Sequence, residues 1–410
     1  MLLIIYVVDY LRCWLIFYLY NKYMGDYYTQ QIITYMGNKR KVIPYIEQII
    51  HIIQKSLEKD KLTIGDGFSG SGVVSRLFKN YATELYVNDL AGYSKTINCC
   101  YLASPNKTTL VNIQKYIDAA NLFVKDNNDN NNDNNDVKKF IQLHWSPSND
   151  QIKDGDRAYY TRENGRRIDS YMYYINTISS DYRHFLLAPL LVEASKHNNC
   201  SGHFAAFYKK DNIGHFGGKN DTDIKRITQN IELPMPIFSI NECKLFVSQK
   251  DANDWVNELP ELDLVYYDPP YNKHPYHIYY FLLDLINNWD VDVEIPDTFR
   301  GQPKTWTASA YNSHSKAVNM FEDLIKNTRA KFILISYNNE GIITETEMKS
   351  ILRKYGTVKE NYIEHTTYNR MKGIAEWKKD PNKKNEKIKE CLYLLDTRLM
   401  NPSMNQSINQ

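Results

Sequence analysis

Between residues 62 and 89 the chain runs apolar strand, glycine-rich turn, helix and second strand, and that order confines it to few folds. Leu62 to Asp66 reads as a short strand, and Asp66-Gly67-Phe68-Ser69-Gly70-Ser71-Gly72 as the turn. The helix then runs through Phe78, and Glu84 to Asp89 forms the next strand. Two strands joined through a helix lie parallel, so the spacing predicts a parallel α/β sheet. The pattern returns at Lys244 to Gln249 and Leu262 to Asp268, with further strands expected at Lys331 to Ser336 and Glu390 to Asp396. Ahead of them, Val42, Ile43, Ile46, Ile49, Ile50 and Ile53 recur at helical spacing, with Pro44 in the first turn.

The 410 residues suggest two domains or one enlarged α/β domain. We divide the chain into an apolar extension (1–25), a first half of the sheet (26–125), an Asp/Asn tract expected as a surface loop (126–136), an inserted and mainly helical region (137–240), a second half (241–397) and a tail (398–410). Helices in the insertion are expected at Ile168 to Ile178 and Tyr182 to Lys196. Leu2 to Tyr20 approaches the length of a membrane span, yet Asp9 and Arg12 interrupt it, at about 2.5–3.5 kcal/mol for a charge near mid-bilayer. A chain start at Met24, just before the first motif, is preferred to a buried helix, and a membrane anchor comes last.

A net charge of +2 excludes a global cationic field, so any polyanionic partner must meet local basic clusters. Such clusters occur at Lys39-Arg40-Lys41, at Arg157, Arg162, Arg166 and Arg167, and from Lys378 to Lys389. The six cysteines lack CxxC spacing and read as reduced thiols of a cytoplasmic protein. His197, Cys200 and His203 fall three apart but are too few for a zinc site, and no metal is expected.

Three segments carry chemistry. Asp268-Pro269-Pro270-Tyr271 follows the apolar strand Leu264 to Tyr267, and ligands of open α/β sheets bind at such strand ends. The prolines stiffen the loop and remove two N–H donors. Asp268 and the Pro269 carbonyl are thereby two acceptors at one spot, beside an aromatic ring able to lie on a base. That suits an adenine amine with its two hydrogens. In the glycine turn, Gly70 and Gly72 let the backbone approach a ligand, and Asp89 stands where an acidic residue accepts ribose hydroxyls. The GxGxxG pattern of dinucleotide folds is absent. Tyr35-Met36-Gly37-Asn38-Lys39, before the first strand, reads as a basic loop at a helix start.

In this order the motifs resemble the Dam-like, adenine-specific DNA methyltransferases of type II modification systems. Tyr35 to Lys39 is similar to the family's Tyr-x-Gly-x-Lys, Asp66 to Gly72 to its Asp-x-Phe-x-Gly-x-Gly, Asn88-Asp89 to its strand end, and Asp268 to Tyr271 to its Asp-Pro-Pro-Tyr. Asn272, Tyr276, Tyr280 and Leu283, Ser309 to Asn312, Ser336 to Asn338, and Tyr160 to Asn164 with Ile168-Asp169 extend the likeness over roughly residues 30–396. The resemblance implies a Rossmann-like methyltransferase sheet, S-adenosylmethionine as cofactor and double-stranded DNA as substrate. By the same resemblance Tyr271 stacks on a flipped adenine, and Asp268 and the Pro269 carbonyl hold its amine. The cofactor lies over Phe68 and Gly70, with Asp89 on its ribose, Lys39 near its carboxylate and Asp251 at its adenine. A cognate restriction endonuclease is an expected partner, in a prokaryotic cell or a virus-infected host. The stretch Tyr362 to Lys378 lacks the arginine-rich loop expected near the C-terminal strand.

Target recognition is assigned first to 137–240, with His144, Arg157, Arg162 and Lys209-Lys210 as DNA contacts, and second to 272–310. Two readings stay open from the residues alone. The same motif serves RNA bases and a glutamine amide, and a DNA-binding protein that has lost catalysis is possible.

Overall fold

The computed structural model describes residues 27–28, 31–127, 136–149, 151–304, 308–364 and 389–398. The apolar extension, most of the Asp/Asn tract, the stretch 365–388 and nearly all of the tail lie outside the described residues. Strands β1 (Leu62–Asp66), β2 (Ala82–Asp89), β5 (Lys244–Gln249), β6 (Leu262–Tyr267), β7 (Ala330–Asn338), β8 (Thr357–Glu364) and β9 (Lys389–Asp396) form one sheet in the order β5-β2-β1-β6-β7-β9-β8. All neighbours are parallel except β9, which runs antiparallel to both β7 and β8. Strands β3 (Lys209–Lys210) and β4 (Ile213–Gly214) make a separate hairpin.

The sheet is covered on both faces, and the pleat decides which residues meet which helices. On one face Leu62, Ile64, Leu264, Tyr266, Phe332 and Leu334 pack against α1 (Ile43–Leu57) and α2 (Val73–Phe78). On the other, Val265, Tyr267, Ile333 and Ile335 meet Trp255, Phe321, Leu324 and Ile351. These come from α9 (Ala252–Glu258), α11 (Ala317–Asn327) and α12 (Glu345–Tyr355). Every residue of β6 is buried, its one polar member Asp263 being paired with Lys59 and Lys331.

A third core holds the insertion. Trp145, Tyr159, Tyr160, Ile168, Tyr171, Leu186 and Leu190 pack with Tyr93 and Ile97 of α3 (Gly92–Tyr101) and with Phe281 to Ile286 of α10 (Tyr276–Asn288). Helix α4 (Lys107–Asp126) adds Ile113, Ile117 and Val124. Buried Asp169 in α6 (Arg162–Thr177) accepts the Ile141 and Gln142 amides at 2.8 and 3.0 Å, tying short α5 (Ile141–Trp145) to it. Helix α7 (Ser180–Lys196) and one-turn α8 (Ile224–Thr228) complete this part. The insertion therefore rests on the helices that follow β2 and β6, and those helices line the cleft.

Chain order reverses between β1 and β6, because β1 leads to β2 on one side while β6 leads to β7 on the other. Loops leaving the carboxyl ends of such a pair diverge and open a crevice. A cavity of about 640 Å³ lies there.

Candidate active site

Asn88 ties the strand ends together. Its amide nitrogen donates to the carbonyls of Gly67 and Lys250, and its side-chain oxygen accepts the Lys250 amide at 3.1 Å, so β1, β2 and β5 finish at fixed height. Gly70 sits at φ +51°, and a Cβ there would come within 2.6 Å of the Tyr35 ring. Its amide donates to Asp89 Oδ2 at 2.7 Å while Ala91 donates to Oδ1 at 2.9 Å. With the Ser94 hydroxyl and the Leu90 amide also acting on it, the Asp89 carboxylate is firmly oriented at the cavity wall.

The loop after β6 is pinned at both ends. The Tyr271 carbonyl accepts the Ile342 amide at 2.9 Å, and the Asn272 carbonyl accepts from Asn312 at 2.7 Å. Tyr35 is layered on Tyr276 and Tyr280 at 5.3 and 4.9 Å, and the Met36 amide donates to the Tyr280 hydroxyl at 2.8 Å. The Tyr35 motif and the helix behind Asp268 are therefore held as one block.

Among the expected residues, Tyr35, Phe68, Asp89, Asp251, Asp268 and Pro270 line the cavity. Phe68 stands edge-on to Tyr267 and Tyr311, and Asp251 caps α9 through the Asn253 amide at 2.9 Å. Buried Pro269 and half-buried Tyr271 lie in the same loop as Asp268. Gly37 is tucked under Tyr276 and Tyr271, and Gly72, at φ +76°, starts α2 against Asn98.

Two expectations change. Asp66 is fully buried and bound by the Ser75 hydroxyl at 2.5 Å, so it holds the start of α2 from beneath and does not face the cavity. Burial pushes its carboxyl up to about 7. Lys39 does not reach out for a ligand carboxylate. Its ammonium is buried between Asp268 Oδ1 at 2.9 Å and Glu390 Oε1 at 2.8 Å. Burial opposes its charge, but Asp268 and Glu390 outweigh that and hold its pKa well above the usual lysine value. Burial raises the Asp268 carboxyl, Lys39 pulls it back and Glu390 raises it again, for a net rise. Among the described residues, Lys39 is the one ion-pair partner of Asp268, at 2.9 Å from Oδ1, and the carboxylate remains part of the cavity wall.

Sequence reasoning missed Glu390 and Asp284. Asp284 lines the cavity from α10 with no donor among the described residues, and burial with Asp89 nearby pushes it up to about 7. A helical acid just past the Asp268 loop was the only available signal.

The basic candidates separate. Arg157 is a brace, because its guanidinium donates to the carbonyls of Thr298, Pro296 and His144 at 3.0, 2.9 and 3.3 Å, leaving little for DNA. His144 is half-buried beside it. Arg162 is exposed and gives one bond to the Ser148 carbonyl. Lys209 and Lys210 are exposed on the hairpin, Lys209 lying 3.9 Å over the Phe299 ring. His197 is taken by Glu193 and the Arg226 carbonyl, and no cluster of metal-ligating side chains occurs among the described residues. No helix among them is long and apolar enough to cross a membrane.

A mostly parallel sheet with a reversed strand order, a cavity at its carboxyl ends and a paired-proline acceptor loop have the arrangement of an amino-group methyltransferase. Residues 35–351 match the model of the D12 class N6 adenine-specific DNA methyltransferases, and the chain belongs to that family. It is similar to the type II methyltransferase M.NlaIII of Neisseria lactamica, 28% identical over 88% of this chain and 98% of the relative. It is also similar to the type II methyltransferase M.CviAII of Paramecium bursaria Chlorella virus 1, 28% identical over 79% of this chain and 89% of the relative. The modification methylase LlaI of Lactococcus lactis is 28% identical over 83% of this chain but only 52% of its own length. The protein is an enzyme that methylates adenine in DNA at N6.

Proposed function

We propose that the methyl donor is S-adenosylmethionine, that the target adenine is flipped out of duplex DNA, and that Asp268 receives it. The observation that carries this reading is the Asp268 carboxylate, anchored by the buried Lys39 ammonium and still lining the cavity. The cavity suits the donor: Phe68 offers a ring face, Asp89 presents an oriented carboxylate to a ribose diol, and Asp251 stands beyond β5 for an adenine amine. When bound, the donor supplies an electrophilic methyl group on a positively charged sulfur.

The chain's own groups do the rest. An adenine amine has its lone pair drawn into the ring, and accepting its two hydrogens at Asp268 and the Pro269 carbonyl frees that pair for attack. Acceptors already fixed before the amine gains positive charge act by preorganisation. Tyr271 supplies the face on which the extruded base rests, offsetting the few kcal/mol of unstacking. The exposed hairpin lysines Lys209 and Lys210, with Arg162, are the DNA-facing cations of this reading. The relatives' type II designations support a separate endonuclease as partner, and a cytoplasmic setting.

Transfer of tritiated methyl from S-adenosylmethionine to an adenine-containing duplex tests the reading. Asp268→Asn keeps the shape but loses the charged acceptor, and kcat is expected to fall by about 10²–10³ with donor binding intact. Undiminished transfer by that variant would overturn it.

A further inference from the structure

We propose that Glu390 is a positioning residue for methyl transfer: by holding the Lys39 ammonium from the far side, it fixes Asp268 and keeps that carboxylate a strong acceptor. The inference rests on the role given above to Asp268.

The geometry is that of one cation answering two anions. Lys39 Nζ lies 2.9 Å from Asp268 and 2.8 Å from Glu390. The Ser336 hydroxyl donates to the same Glu390 oxygen that meets Lys39. Antiparallel pairing sets this up, because β9 carries Glu390 opposite Asn338 at the carboxyl end of β7, level with the catalytic loop. An ammonium held by Asp268 alone would concentrate its charge there, drawing down the lone pairs that must accept an amine hydrogen. With Glu390 sharing the cation, the two carboxylates carry one charge in excess, and burial, with Glu390 adding to it, keeps Asp268 basic for a carboxylate.

The other titratable groups facing this cluster are the phenols Tyr266, Tyr271, Tyr276 and Tyr337, the Cys391 thiol, which burial raises, and the buried carboxyl Asp66. The phenols are all raised above their ordinary value and stay neutral through the acid and neutral range. Charge change on the acid side therefore belongs to the carboxyls, with Asp268 and Asp66 both pushed up to about 7 by burial. A Glu390 that only braced β9 against β7 would leave the titration of Asp268 alone.

That difference is the test, run on the full chain. Glu390→Gln keeps an acceptor for Lys39 and Ser336 but removes the charge, whereas Glu390→Ala removes both. The pH profile of kcat is measured by tritium transfer, with urea midpoints recorded to follow folding. The acid limb in Glu390→Gln is expected to move to lower pH by about one unit, since a like charge close to Asp268 has gone. Plateau kcat is expected to fall several-fold. Ser336→Ala, which leaves the charge and strips its donor, is expected to move the limb upward. An unmoved limb in Glu390→Gln, with activity in Glu390→Ala tracking the folded fraction, overturns the inference. Full transfer by Asp268→Asn would instead sink the underlying reading of Asp268, so the two failures are told apart.

Discussion

Replacing Lys39 by Met should destabilise the protein in a way that acid reverses. At 2.8–2.9 Å, with an effective dielectric near 20, the attraction of Lys39 for each carboxylate is roughly 6 kcal/mol. Desolvating the ammonium offsets several kcal/mol of that sum. Met fills similar volume without charge, so the variant is left with two buried carboxylates and no cation. Removing one partner of a buried ion pair costs about 3–5 kcal/mol. With a urea m-value of about 3 kcal/mol/M, the midpoint should drop by roughly 1–1.7 M at pH 8. The sign of the pH dependence follows from linkage. Without Lys39 the Asp268 carboxyl, already raised, moves further above its unfolded value, so the folded state holds more protons than the unfolded one between the two. The stability this lends is present at low pH and is lost as pH rises through the folded pKa. The deficit should therefore be largest at pH 8 and shrink steadily towards pH 5. Equilibrium urea unfolding at several pH values reads this directly. A deficit of equal size at both ends, or none at all, would refute the picture of one cation compensating two acids.

Phe68→Ala, which strips a ring from the cavity wall, should weaken S-adenosylmethionine binding about 10–100-fold by calorimetry at unchanged urea midpoint. Unchanged affinity would place the donor elsewhere. Lys210→Ala on the exposed hairpin should lower the slope of log affinity for DNA against log salt by about 1, with little effect on cofactor binding. An unaltered slope removes the hairpin from the DNA face. Asp263, buried where it binds Lys59, Lys331 and the Thr63 amide beneath the sheet, is remote from the cleft. Asp263→Ala should cost about 3–5 kcal/mol in urea titration while kcat of the folded enzyme holds. A collapse of kcat alone would contradict that division.

Much of the sheet was legible because its strands are short, apolar and bounded by turn residues. Lys244 to Gln249 and Leu62 to Asp66 were read to the residue, since both end in loops rich in Asp, Gly or Lys. Strand β8 escaped because Thr357-Val358-Lys359-Glu360-Asn361 is an edge segment with little to bury. The hairpin escaped because two residues a side give no periodicity. Within the site, residues contiguous in sequence were legible and those meeting across the sheet were not. Phe68, Asp89 and Asp268 were found from their motifs, whereas Glu390 joins Lys39 only through antiparallel pairing that no local pattern announces. Lys39 and Arg157 were misread for one reason. A cation in a basic cluster looks alike whether water, a carboxylate or a ring of carbonyls awaits it, and only folding decides.

The seat of β9 has a temporal side. Translation delivers it after both strands it separates, so β7 emerges about 58 residues before its neighbour is complete. At ribosomal speeds of about 5–20 residues per second that is roughly 3–12 s with a long apolar flank unzipped. An edge left unpaired for that long can pair with other chains, which makes those seconds a window in which shielding by a chaperone helps.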